Sequence, residues 1–434
     1  MVVFVKPASR NTLSGKFGIV FRYTRANIYS YHALIGALEL NADLKDIPIF
    51  IPRPQEFFME IERLLTVKGF SKLLVGFSIN TFQMAEYREL FRKLKMVNYR
   101  QQMVLVAGGP HPSARPQELL ELGADFVVIG EGEKTFPEIV RALVNRHDVS
   151  KLKGIAFLNA GHKLVITPKN DLISLDDYPP FAPEHGLFSA LEIMRGCRYH
   201  CTYCQVPTLI GRPIRFRSPE TIIKWGKFLL KQRENWDFRF ITPNAFGYGA
   251  KRASEPNYRL IEDLLAGLQA LQAKKRRRIF FGTFPSEVRP ESVTDETLRL
   301  TREYCDNDNL TVGAQSGSPR ILKAIRRGHT VEAVETAVDL ANSYGFQMNV
   351  DFIIGFPEET AEDQELTIAL CKRLLRKNCK IHMHYLIPLP GTIYERQKAR
   401  AIEPDILKLL RKWSNEGIIF GSWQHQYEKV QKEF

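Results

Sequence analysis

At 434 residues the chain exceeds one ordinary domain, and 44% hydrophobic with 25% charged residues is the balance of a globular protein with room for large cores. Six cysteines, none before Cys197, exclude a disulfide scaffold, and no apolar run is long enough to make a membrane helix. The net charge of +13 fits an anionic partner, which includes nucleic acid without favouring it. Residues 1–7, Met-Val-Val-Phe-Val-Lys-Pro, lack the apolar region and cleavage site of a signal peptide, which points to the cytoplasm.

The first third alternates strands and helices. Strands are predicted at Phe17–Tyr23, Ile47–Ile51, Leu73–Ile79, Val104–Ala107 and Phe126–Ile129, with helices around Tyr29–Leu40, Gln55–Val67, Met84–Leu94, Gln117–Leu122 and Pro137–Val144. Short apolar strands alternating with helices imply a doubly wound, Rossmann-like parallel sheet, whose ligands bind beyond the carboxyl ends of the strands. The loops there begin at Ser78, at Gly108-Gly109-Pro110-His111 and at Gly130-Glu131-Gly132. Paired glycines let a backbone approach a ligand closely, whereas His111 and the glutamates serve equally well as structural and capping groups. Residues 152–168 read as a hairpin turning at Asn159-Ala160-Gly161, and residues 150–188 as a connector.

From Leu191 the alternation resumes. Strands are predicted at Leu191–Met194, Phe238–Ile241, Ile279–Gly282, Leu310–Gly313, Met348–Ile354 and His382–Ile387, with five helices between them. Six β/α units make a partial barrel. Each strand runs into a polar or glycine-rich loop, among them Gly196-Cys197, Thr242-Pro243-Asn244, Ser286-Glu287 and Gln315-Ser316, and barrel active sites are built from those loops. Residues 1–149 thus form the first α/β domain, 150–188 a hairpin and linker, 189–400 the partial barrel and 401–434 a helical tail. The basic run Lys274–Arg278 is read as a solvated helix end or a contact for an anionic substrate.

The most specific pattern is Cys197-x3-Cys201-x2-Cys204, with Tyr203 before the last cysteine. Three thiolates hold three irons of a 4Fe–4S cluster and leave the fourth iron open. Zinc with His200 as fourth ligand is the competing reading, made awkward because His200 and Cys201 are adjacent. Cys305, Cys371 and Cys379 are scattered and read as buried small residues.

This run resembles the signature of the radical S-adenosylmethionine (SAM) superfamily. Cys204-Gln205-Val206-Pro207, Arg215–Glu220, Val312–Ser318 and Val350–Pro357 resemble later motifs of the same barrel, so the similarity spans about residues 190–395. The resemblance implies that Cys197, Cys201 and Cys204 ligate the cluster, and that one electron cleaves SAM to methionine and a 5′-deoxyadenosyl radical. It places Tyr203, Asn244, Ser286, Glu287, Gln315 and Ser316 around SAM, although hydroxyl and amide groups in such loops also serve as turn caps.

The stretch Val104–Pro112 followed by Gly123–Glu133 resembles the cobalamin-binding domain that precedes many radical SAM barrels, over about residues 15–148. Ser78, Gly108, Gly109, Pro110, His111, Glu131 and Gly132 would then lie near the cofactor. The D-x-H-x-x-G motif that supplies a cobalt-ligating histidine is missing, so either cobalamin binds without a histidine, as in much of the radical SAM class, or the domain has lost cobalamin; binding is the reading favoured. Methylthiotransferases have a similar barrel but carry a second cluster on three cysteines of their first domain, and this first domain has none. The expected function is cobalamin-dependent methyl transfer to an unactivated carbon, with a small electron donor such as ferredoxin or flavodoxin. The alternatives are a rearrangement or cyclisation without methyl transfer, and a non-enzymatic sensor.

Overall fold

In a computed structural model, residues 15–252 and 255–433 are described, and they fall into two compact units that divide at Ser189/Ala190. The N-terminal stretch read above for targeting lies outside the described residues.

The first unit is built on strands β1 (Lys16–Phe21), β2 (Ile49–Phe50), β3 (Phe70–Ser78), β4 (Met103–Gly108), β5 (Phe126–Val128), β6 (Ile155–Leu158) and β7 (Leu164–Ile166), in the order β2-β1-β3-β4-β5-β6-β7. The first five are parallel, and β6 and β7 add on antiparallel. The hairpin expected in a connector is therefore an edge of the first sheet. The helices are α1 (Ile28–Glu39), α2 (Phe57–Thr66), α3 (Met84–Met96), α4 (Pro110–Ala114), α5 (Pro116–Leu122) and α6 (Gly132–Val144). Along β3 the side chains alternate: Leu73, Val75 and Phe77 pack with α2, α3 and α5, while Leu74 packs with α1 and α6. Two buried faces explain why these strands are apolar throughout. Each such core side chain contributes about 1.5–3 kcal/mol by leaving water.

Strand order reverses between β1 and β3, the point where doubly wound sheets open a crevice. The loops after these strands are tied together there, since Asn27 Nδ2 donates to Gln83 Oε1 at 2.9 Å and Gln83 Nε2 to Thr24 Oγ1 at 3.4 Å. Beside them Gly109 has φ +99°, and a Cβ there would lie 2.8 Å from the Ile79 carbonyl oxygen, so only glycine allows this approach.

The second unit carries β8 (Leu191–Glu192), β9 (Met194–Arg195), β10 (Arg215–Phe216), β11 (Asn235–Ile241), β12 (Arg276–Phe280), β13 (Asn309–Gln315), β14 (Gln347–Ile354), β15 (Lys380–Tyr385) and β16 (Ile419–Phe420). Its helices are α7 (Val206–Leu209), α8 (Pro219–Gln232), α9 (Tyr258–Gln269), α10 (Asp295–Tyr304), α11 (Pro319–Ala324), α12 (Val331–Ser343), α13 (Ala361–Arg376), α14 (Pro404–Asn415) and α15 (Trp423–Glu433). Parallel sheets β12-β11-β8 and β13-β14-β15-β16 are joined where Val288 bridges Val312 and Thr311 N donates to Gly282 O at 2.9 Å. This is the expected partial barrel. Its helical tail also returns a short strand, β16, to the edge beside β15. Trp423, almost fully buried, donates Nε1–H to Ser414 Oγ at 2.9 Å and ties α15 to α14.

The basic run departs from expectation. Arg276–Arg278 open β12 rather than ending a helix, at the end of the strand away from the loop that carries Ser286 and Glu287. Lys275 pairs with Glu234, Arg278 with Asp237, and Arg277 Nη1 donates to the Leu268 and Leu271 carbonyls at the end of α9. The run is thus largely spent on cross-strand pairs and on helix-end carbonyls. Among the described residues no helix is long and apolar enough to cross a membrane.

His111 is held on both ring nitrogens, Nδ1 by Thr81 Oγ1 at 3.2 Å and Nε2 by Glu118 Oε2 at 3.0 Å. The His111 and Arg88 hydrogen bonds depress the Glu118 carboxyl to about 2 against the burial that opposes them. A carboxyl depressed in the fold stabilises above its unfolded value near 4 and loses that contribution as pH falls toward 2. Glu118→Gln should lower protection of residues 110–122 by about 1–2 kcal/mol at neutral pH, and by progressively less under acid. Hydrogen exchange measures this, and equal protection at every pH would refute it.

Candidate functional site

The loop from Gly196 to Cys204 begins where β9 ends. Gly196 has φ +91°, and a Cβ would meet the Pro213 carbonyl oxygen at 2.2 Å, so the loop turns there only on glycine. Neighbouring segments grip it: Cys197 N donates to Gly211 O at 3.3 Å and Thr202 N to Ile325 O at 3.1 Å. Cys197, Cys201 and Cys204 are free thiols that all line one cavity of about 430 Å³. That volume lies within the range of sites for small ligands.

Tyr203, Asn244, Glu287 and Gln315 line the same cavity. Gln315, at the end of β13, holds φ +70°, a strained conformation for a residue with a side chain and a frequent mark of functional positions. Asn244 Oδ1 accepts from Arg289 N and from Ser292 Oγ, both at 3.2 Å, and so joins the loops after β11 and β12. Ser286 and Ser316 do not reach the cavity wall. Ser286 Oγ donates to Thr283 O at 3.3 Å, while Ser316 Oγ lies 3.2 Å from Thr367 Oγ1 and accepts from Ser318 N at 3.1 Å. Both shape the loops from behind.

Among the further polar residues of the wall, Arg289, Arg327, Asp351, His384 and Gln426 were not assigned a role by the sequence reading. Arg327 Nη2 donates to Gly313 O at 2.8 Å, and its Nη1 lies 3.9 Å from Cys201 Sγ. Arg289 stacks 3.4 Å over the Tyr199 ring and donates Nε–H to Glu291 Oε1 at 2.5 Å. Asp351 Oδ1 accepts from His382 Nδ1 at 2.9 Å. Gln426, on α15, accepts from Tyr385 N at 2.9 Å and places Nε2 3.3 Å from His384 Nδ1. Asp351 lies inside the motif Val350–Pro357, so its position was legible though its role was not. Gln426 carries no sequence signal, because it reaches the cavity only through the packing of the tail.

Burial raises the Glu287 and Asp351 carboxyls to about 7 each. The two carboxyls neighbour one another, so near neutral pH the pair as a unit retains a proton. Burial also raises the Cys197 thiol and pushes Cys204 up to about 12, so loading a metal on the loop releases protons.

The donor set decides what the loop holds. His200 is exposed and its Nε2 meets Arg212, and among the described residues no three His, Cys, Asp or Glu side chains converge on a single-ion site. Zinc with His200 is therefore disfavoured. Three thiols spread around one cavity, with a guanidinium against one of them, fit a cluster. In the first unit, Arg22 at the end of β1 is buried with Nε and Nη1 unpartnered, although Nη2 pairs with Glu86 at 2.8 Å. Unsatisfied donors beside the crevice at β1 and β3, with the Gly109 approach, fit a polar cofactor there.

The Radical SAM superfamily profile matches residues 191–371 and the B12-binding domain profile residues 39–140. The chain is 26% identical over 332 residues to an uncharacterized methyltransferase of Pyrococcus horikoshii, covering 73% of this chain and 67% of that protein. It is 34% identical over 235 residues to a tRNA-2-methylthio-N(6)-dimethylallyladenosine synthase of Moorella thermoacetica, covering 53% of this chain and only half of that protein. In fold it is similar to the radical SAM methyltransferase TsrM of Kitasatospora setae, solved with cobalamin and a [4Fe-4S] cluster: TM-score 0.65, 17% identity, covering 89% of this chain and 78% of that one. The cobalamin-dependent SAM radical enzyme OxsB gives TM-score 0.65 and 15% identity over 94% of this chain and 62% of that one. The chain thus carries a radical SAM domain over residues 191–371, preceded in sequence by a B12-binding domain over residues 39–140. These two domains imply a 4Fe–4S cluster, SAM and cobalamin as its cofactors.

A buried carboxyl raised in the fold weakens stability as pH rises from its unfolded value to its folded one. Stability of the second unit should therefore fall as pH rises from about 4 to about 7, and Asp351→Asn should flatten that slope. Urea unfolding at a series of pH values measures it, and parallel slopes in both proteins would show that the pair does not titrate.

Proposed function

We propose that the protein is a cobalamin-dependent radical SAM methyltransferase acting on an unactivated carbon. The observation that carries the reading is the cavity in which three free thiols meet two buried arginines and an acid pair, in a chain that also has a B12-binding domain. Two similar proteins, from Pyrococcus horikoshii and Kitasatospora setae, are called methyltransferases, which supports methyl transfer over the other reactions of this fold.

Cys197, Cys201 and Cys204 would hold the cluster and leave one iron open. Bound there, the cluster supplies the electron that cleaves SAM, and cobalamin supplies a methyl carrier. Arg289 and Arg327 present cations to a carboxylate, Glu287 and Asp351 offer acceptors to an ammonium or ribose hydroxyls, and Gln315 adds an amide. Tyr203 stands 5.7 Å from Phe356, and Met194, Val206, Ile353, Leu386 and Leu389 give the cavity an apolar wall that limits water near a radical. In the first unit, Ser78, Gly108, Gly109, Pro110, Glu131 and Gly132 remain the proposed cobalamin contacts, with Arg22 added. His111 acts there through its position, because both ring nitrogens are bonded within the protein. With the basic run at β12 spent on internal pairs, it no longer argues for an anionic substrate.

The experiment is anaerobic reconstitution with iron, sulfide, hydroxocobalamin and SAM carrying a deuterated methyl group. Expected are cluster absorbance, 5′-deoxyadenosine on reduction and deuterated methylcobalamin. The first two should vanish in Cys201→Ala. Absence of cluster absorbance in the parent protein would end the reading; a cluster without bound cobalamin would end its methyltransferase part.

A further inference from the structure

The three thiols of the cavity do not meet the same donors. Cys197 and Cys204 each take a backbone N–H from two residues further on, Tyr199 and Val206, which is the short reach of a tight loop. Cys201 instead meets a full cation, with Arg327 Nη1 3.9 Å from its Sγ. As a free thiol Cys201 also donates to Arg326 O at 3.8 Å. A sulfur bound to iron has lost that proton and can only accept, so of these two neighbours the guanidinium alone remains its partner.

The segment after α11 delivers that cation. The chain turns at Arg326, with φ +53°, and again at Gly328, with φ +82°, so Arg327 stands between two left-handed residues. Its buried guanidinium is engaged at every nitrogen. Nη2 donates to Gly313 O at 2.8 Å and Nε to His329 Nε2 at 3.1 Å, which leaves Nη1 for the sulfur. His329 Nε2 also lies 3.2 Å from Gly313 O, but one nitrogen cannot donate there and accept from Arg327 together. Burial, with Arg327 and Arg289 beside it, lowers the ring to about 4, so it is neutral near pH 7. Its single hydrogen sits on Nδ1, 3.2 Å from Thr330 O, and Nε2 is the acceptor. The donors of a guanidinium form a rigid planar fork, so holding Nε and Nη2 aims Nη1.

Resting on the radical SAM reading above, we infer that Arg327 raises the reduction potential of the cluster through Cys201, and that His329 is the positioning residue that aims it. A reduced cluster carries one more negative charge than an oxidised one. A cation fixed at a ligand sulfur stabilises that extra charge, and hydrogen bonds to sulfur are among the means by which a protein sets such potentials. Burial strengthens the effect, because little water screens the charge. The step is uptake of one electron by the cluster from an external reductant; no bond forms or breaks. His329 is not among the residues that line the cavity, so it acts only through Arg327.

The test measures the cluster potential of the reconstituted holoprotein without SAM, by EPR during titration with dithionite and viologen mediators. Omitting SAM removes any contact that Arg327 makes to that ligand. His329→Leu takes away the acceptor at Nε. At the solution potential that half-reduces the parent, its ratio of reduced to oxidised cluster should fall about tenfold, a shift of about 59 mV to lower potential. Arg327→Gln, which removes the charge, should lower the ratio at least as far. His329→Gln, whose side-chain oxygen accepts where Nε2 does, should stay within about twofold of the parent. Iron and sulfide analysis reports cluster content in each. Unchanged potentials in His329→Leu and Arg327→Gln with clusters intact would overturn the inference. A shift in Arg327→Gln alone would remove His329 from it, and equal shifts in His329→Gln and His329→Leu would reduce the ring to packing. If one of the two disruptive variants holds no cluster, the other decides; if neither holds one, both residues merely support the loop and the redox role falls. A parent without any EPR-active cluster would end the radical SAM reading itself.

Discussion

Burying a guanidinium costs several kcal/mol unless its donors are used, and leaving one unpaired costs more than the pair is worth. Arg327 meets that requirement in one place: Nη2 on the Gly313 carbonyl, Nε on His329 Nε2 at 3.1 Å, and Nη1 against Cys201 Sγ. Its own carbonyl accepts from Arg289 Nη2, so the second arginine is positioned by the first. Arg289 in turn stacks on Tyr199 in the cysteine loop and bonds Glu291, which accepts a hydrogen bond from the Tyr199 hydroxyl at 2.9 Å. The end of β13, the turn before α12 and the cysteine loop are thereby fixed by a single connected set of charges. Low dielectric makes such a network strong when complete and costly when broken.

Much of the fold was legible because it rests on periodicity. The β3 residues alternate between two helical layers, and the strand-end loops of the barrel are polar where the strands are apolar. The cysteine triplet was legible because metal chemistry demands both residue type and spacing. What escaped depends on partners far apart in the chain. Asp351 is an acid in an apolar strand until His382 is found beside it. Arg327 looks like one basic residue among many until the groups around it are known. Ser286 and Ser316 stand next to cavity residues in sequence, but their hydroxyls turn back to Thr283 O and Thr367 Oγ1 within the loops. The run Lys274–Arg278 misled because a cluster of cations has no intrinsic secondary structure; Asp237 and Glu234 on β11 decide its place.

The two units treat their ligand groups differently. The second satisfies most of the polar groups around its cavity within the protein and leaves an open volume. The first keeps Arg22 donors unsatisfied beside a crevice whose loops are laced by Asn27, Gln83 and Thr24. Stored polarity of this kind is repaid only when a polar ligand arrives, so the first unit gains more from its cofactor, per contact, than a fully satisfied site would.

The tail helix has a consequence at the level of a single proton. The Tyr385 amide donates to Gln426 Oε1, which leaves the Gln426 amino group to face His384 Nδ1. Burial lowers His384 to about 4, so its ring is neutral near pH 7. A neutral imidazole that accepts at Nδ1 must carry its hydrogen on Nε2. A backbone N–H on β15, acting through one side chain of α15, thus selects the tautomer of a histidine in the cavity wall. Whatever meets that ring at Nε2 meets a donor and not a base.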